Sequence, residues 1–119
     1  MKMLDFFKLN ENGKPEKVKV NNFYDSDELL EYNNRKICIH VNDDFLISTY
    51  FMPMCDDGYF FETTIYAEHM KAFPPGGSEI QSKTLTQALI NHMKLVETYM
   101  MKKSKNIKTV YIKSFKDAR

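Results

Sequence analysis

The chain has 119 residues, 43% of them hydrophobic and 28% charged, with a formal net charge of +1. That size supports one α+β domain over residues 1–119 that needs no metal or disulfide to fold. The balanced charge predicts no general attraction to nucleic acid, and no apolar run approaches membrane-spanning length.

Two cysteines, Cys38 and Cys55, are too few for a disulfide framework, so free thiols in a reducing cytoplasm are expected. Lys2 and Asp5 interrupt the short apolar start, which therefore does not read as a signal peptide.

In chain order, Asn10–Pro15 is a turn cluster ahead of Lys17-Val18-Lys19-Val20, which alternates at strand period. Asp25 and Glu28 have capping-box spacing, predicting a short N-terminal helix over Asp25–Tyr32 that ends at Asn33-Asn34. Ile37, Ile39 and Val41 then alternate as a strand.

Phe45–Met54 and Tyr59–Ala67 form the strongest local signal, two strand-like runs joined by Cys55-Asp56-Asp57-Gly58. Asp-Gly suits a type I′ hairpin turn. A tip at Asp57-Gly58 pairs Met54 with Phe61, Met52 with Thr63 and Tyr50 with Ile65. Leu46, Tyr50, Met52, Met54, Phe61 and Ile65 would share one face. Phe45, Ile47, Phe51, Phe60 and Tyr66 would lie on the other. With both faces apolar, the hairpin is expected to be covered on both sides.

Glu68–Ser78 contains Pro74-Pro75-Gly76-Gly77 and reads as a loop. Thr84 and Gln87 then have capping-box spacing. Leu85, Leu89, His92, Val96 and Tyr99 recur at helical steps, predicting a helix to about Lys103. Leu89, Val96 and Phe61 are expected to be buried. Ile107–Phe115 reads as a final strand. The expected fold is a small antiparallel sheet with a central β-hairpin, packed against one long C-terminal helix.

Phosphate loops, nucleophile elbows and paired metal-ligand motifs are all missing from the sequence. Cys38-Ile39-His40 places a thiol and an imidazole on one strand face. With Cys55, Asp56 or His69 they suggest a metal- or cysteine-dependent hydrolase. The simpler reading makes Cys38 a core residue, and neither a metal nor a cofactor is expected. His92, near the middle of the apolar helix face, reads as a hydrogen-bonded core histidine.

Residues 102–119 carry seven Lys or Arg against one acid. Lys102, Lys103, Lys105, Lys108, Tyr111, Lys113 and Lys116 are thus a candidate nucleic-acid surface. A solvated edge strand explains the same lysines. Ile90 and Met101 lie off the core stripe, beside Lys94 and Glu97, and suggest a surface for a protein partner. Phe45, Phe51, Phe60 and Tyr66 suggest a face for self-association.

Phe61-Glu62-Thr63-Thr64-Ile65-Tyr66, a loop, and then Ala88 through Val96 with His92 between them carry a resemblance. The pattern resembles F-E-T-M-V-F, a loop and A-x-x-x-H-x-x-x-V in small uncharacterised proteins of tailed bacteriophages. It covers about residues 45–99. The resemblance implies a phage accessory protein without catalytic residues, binding a macromolecule in the host cytoplasm. Its most concrete form is an inhibitor that occludes a host defence or replication protein.

Overall fold

The structure, a computed structural model, describes residues 6–19, 30–55, 57–67, 79–101 and 106–116. The chain is α+β, with all of its described strand pairings antiparallel. Strands β1 (Phe6–Leu9) and β2 (Pro15–Val18) form a two-stranded ribbon. The helical turn α1 (Tyr32–Arg35) leads into β3 (Lys36–Val41), β4 (Phe45–Phe51), β5 (Phe61–Ala67) and β6 (Glu79–Ser82). Helix α2 (Leu85–Leu95) runs into a π-helical segment, Val96–Met101, and β7 (Lys108–Ile112) follows. The five-stranded sheet has the order β6-β5-β4-β3-β7.

Local chemistry accounts for the ends of these elements. Asn10 Oδ1 accepts from the Asn12 and Lys14 amides at 2.9 Å, and Gly13 supplies a φ of 84°, closing the ribbon turn. The Phe7 amide donates to the Pro53 carbonyl at 2.8 Å, which fastens the ribbon to the β4–β5 connection. Thr84 Oγ1 accepts from the Gln87 amide at 3.1 Å and caps α2 as expected. Helix α2 lies over β4, β5 and β6. Among the described residues, no helix is long and apolar enough to cross a membrane.

The helix buries Ala88, His92, Val96 and Met100 at successive steps of four. An α-helix turns about 40° too far in each such step. The wider π turn after Leu95 offsets this drift and keeps Val96 and Met100 over the sheet. The core consequently falls into layers. Ala88 packs with Ile37, Cys38, Phe51 and Phe61, while Val96 and Met100 pack with Ile47 and Ile65. Between these two apolar clusters lies a polar strip made of His40, Thr49, Thr63 and His92.

The hairpin departs from its expected register by three residues. Phe51 pairs with Phe61, Thr49 with Thr63 and Ile47 with Ile65. Pro53 has no amide hydrogen for a strand ladder, β4 stops at Phe51, and the Met52 amide makes one last bond to the Phe60 carbonyl at 2.7 Å. Gly58 has the expected positive φ of 83°, but within a longer connection than a two-residue turn. An odd shift exchanges faces between strands. Phe61 and Ile65 therefore join Phe51, Thr49 and Ile47 beneath the helix, while Tyr66 faces the other way opposite Leu46.

The second face of the hairpin is covered in its middle, where Ser48, Glu62 and Thr64 are buried, and exposed at Tyr66. Phe61 and Val96 are buried and Leu89 is half-buried. The expected helix Asp25–Tyr32 falls largely outside the described residues, as does the loop Glu68–Ser78. Asn33 and Asn34 lie inside α1 rather than ending a helix. The long helix is not the C-terminal element, since β7 follows it and forms one sheet edge.

Candidate functional site

A bulge on β3 starts the polar strip. The register shifts between Lys36 and Cys38, so Ile37 and Cys38 both pack into the apolar layer around Phe51. Cys38 and His40 then share the face toward the helix. Cys38 Sγ stands 3.7 Å from His40 Nδ1, which lies 2.8 Å from His92 Nε2. On its other side His92 Nδ1 meets Thr49 Oγ1 at 2.8 Å, and Thr49 meets Thr63 Oγ1 at 2.7 Å. One continuous hydrogen-bonded chain crosses β3, α2, β4 and β5.

The strip is uncharged at neutral pH. Burial, and then the neighbouring His40, lowers the His92 pKa to about 4. Burial also lowers that of His40 and raises that of the Cys38 thiol to about 11. A thiol held protonated and 4% exposed is poorly suited to nucleophilic attack. Its sulfur and the two imidazoles are nonetheless metal-ligating atoms, converging within 4.8 Å of one another.

Sequence reasoning placed Cys38 and His40 together and assigned His92 to a hydrogen-bonded core position, and all three placements agree with the structure. It did not join them. Of the residues suggested as companions, Cys55 donates to Asp57 Oδ1 at 3.1 Å. Asp56 and His69 lie outside the described residues.

The outer face of α2 is different in character. Thr86, Leu89, Ile90, Met93, Lys94 and Glu97 line a shallow apolar groove. Ile90 is 43% exposed, Met93 49% and Met101 63%. Met93 was missed in the sequence, although its spacing of three from Ile90 carried the signal.

The supposed self-association face does not assemble. Phe51 is in the core, Phe45 leans on Tyr99 with ring centroids 5.4 Å apart, and Phe60 meets Phe7 edge-on at 4.8 Å. Tyr66 is exposed, but on the opposite sheet face. Phe51 and Phe60 stack with ring centroids 6.1 Å apart, and the register shift carries Tyr66 to the other face.

At the basic end, Lys102, Lys103 and Lys105 are outside the described residues. Lys108 is exposed on β7, Tyr111 lies beneath Lys36 at 4.3 Å, and Lys113 is 5.9 Å from the Phe115 ring. Lys116 Nζ pairs with Glu11 at 3.3 Å. No protein-family model, curated protein or solved structure matches the chain.

Proposed function

We propose that the chain is a non-enzymatic binding protein whose outer α2 face docks on a protein partner. The observation that carries this reading is the exposed apolar patch of Ile90 and Met93, flanked by Lys94 and Glu97. An apolar centre with charges of both signs at its rim suits a protein surface. It does not suit a polyanion, which favours uninterrupted positive charge. Met101 is exposed as well, at the end of the π-helical segment, and flexible thioethers adapt to an irregular partner. The phage-like pattern over residues 45–99 supports an accessory protein of the host cytoplasm. Its specific form is occlusion of a host defence or replication protein. The buried, protonated Cys38 weighs against a cysteine hydrolase.

The test is affinity capture from bacterial lysate with the full chain, with and without nuclease, followed by a salt series on the captured partner. A protein partner should be retained after nuclease treatment and lose affinity only modestly with salt. Replacing Lys108, Lys113 and Lys116 by Gln should weaken it little. Loss of capture on nuclease treatment, with a steep salt dependence, would transfer the function to the basic end.

A further inference from the structure

The hydrogen-bonded strip ends in three metal-ligating atoms that lie within 4.8 Å of one another. A neutral imidazole nitrogen offers one in-plane hydrogen or one lone pair. His40 Nδ1 nevertheless faces two groups, Cys38 Sγ at 3.7 Å and His92 Nε2 at 2.8 Å. It must share that single hydrogen or lone pair between them, with the sulfur the more distant of the two. A cation at the centre of the three would take a lone pair from each.

We infer that Cys38, His40 and His92 form a binding site for one thiophilic divalent cation of the zinc class. The donor set is one thiolate and two imidazoles, with no carboxylate, which selects against hard cations such as magnesium or calcium. The distances fit. Tetrahedral zinc, with bonds of about 2.0–2.1 Å to nitrogen and about 2.3 Å to sulfur, places nitrogen and sulfur ligands ~3.6 Å apart and two nitrogens ~3.3 Å apart. The first value is nearly met by Cys38 and His40. The second needs the histidine pair to open by about half an ångström, and Cys38 Sγ and His92 Nε2, which lie within 4.8 Å, must settle at the first value.

The supporting shell is in place. Thr49 Oγ1 engages His92 Nδ1 and Thr63 holds Thr49, so Nε2 is the nitrogen aimed at the other two ligands. Metal-bound histidines are ordinarily oriented by such a partner on their second nitrogen. Water supplies the fourth position. Binding exchanges the Cys38 S–H bond for a metal–sulfur bond and releases the proton to solvent, so affinity rises with pH. The ligands are two residues apart on β3 and then 52 residues further along, on the helix, so no paired ligand motif marks them.

The experiment refolds the full chain, under a thiol-free reductant, into Co2+ as an optical probe. One retained equivalent and a thiolate-to-cobalt charge-transfer band are expected, with Zn2+ displacing the cobalt. Cys38→Ser should abolish the band, His40→Gln should weaken binding at least about tenfold, and Cys55→Ser should leave both unchanged. Zn2+ should also move the ring nitrogen resonances of His40 and His92 in the unmodified protein, a readout that needs no variant. Folded protein that retains no cobalt and shows no histidine shifts would overturn the inference. A band lost in Cys55→Ser but kept in Cys38→Ser would overturn it as well.

Discussion

His92 Nδ1 on the long helix meets Thr49 Oγ1 on the central strand at 2.8 Å, in a site with no solvent exposure at either residue. This contact lies between two apolar clusters that any greasy helix face would satisfy approximately. The hydrogen bond is selective where the apolar packing is not. Sliding the helix by one turn would part His92 from Thr49 and His40 and leave buried imidazole nitrogens unpaired, at about 1–3 kcal/mol for each group. The polar strip thereby fixes where α2 sits on the sheet, and with it which residues face outward.

Thr49→Val should therefore destabilise the chain by about 1–3 kcal/mol, because it strands His92 Nδ1 and Thr63 Oγ1. His92→Ala adds a cavity and should cost about 3–5 kcal/mol. Denaturant melts of both variants and their double mutant would check this. The two effects should be less than additive, since they remove the same hydrogen bond.

Stability should depend on pH in a direction set by the buried groups. His92 has a folded pKa of about 4, below the roughly 6.5 of an unfolded histidine, and that of His40 is lowered in the same sense. Between those values the unfolded chain binds more protons, so stability is full above about pH 6.5 and falls as pH drops toward 4. For His92 alone the loss is about 2–3 kcal/mol. Cys38 acts at the other end. Its folded pKa of about 11 exceeds the unfolded value, so stability falls again as pH rises from about 9. Melts across pH should show this plateau, and His92→Gln should flatten its acid side.

Two glycines with nearly equal backbone angles should respond differently to substitution. Gly13 has a φ of 84° and Gly58 of 83°. A methyl group at Gly13 would collide with Leu85 at the start of α2, whereas one at Gly58 meets nothing within 4 Å. Gly58→Ala should cost about 1 kcal/mol from backbone strain alone. Gly13→Ala should cost more, because Leu85 must move, and the two melting curves compared side by side would show it.

Much of the fold was legible in local chemistry. Thr84 capped the helix as its spacing required, and β3 formed where the alternation placed it, although the bulge turns Ile37 to the same side as Cys38. The hairpin was correctly located but misregistered, because the tip was set from Asp57-Gly58 alone and Pro53 was read as part of the strand. That error put Tyr66 on the same face as Phe45 and Phe51, from which the true register removes it. The short strands β1 and β6 were not anticipated, since four residues carry too little periodicity to register. At the site, strand parity joined Cys38 to His40. His92 could be placed on the core stripe, but its contact with His40 depends on which strand lies beneath the helix, and that is tertiary information.

Parallel affinity measurements with the captured partner address binding by the outer face of α2 most directly. The full chain, Ile90→Asp/Met101→Asp and Cys38→Ala are compared at fixed salt, each after a melt confirms folding. Ile90 and Met101 are solvent-exposed, so the double substitution should change stability by no more than about 0.5 kcal/mol. It should weaken binding by at least about tenfold, as charges placed in a contact centre do. Cys38→Ala, lying on the opposite side of the helix, should bind within about twofold of the unmodified chain. A double mutant that binds normally beside a folded Cys38→Ala variant that does not would contradict the account.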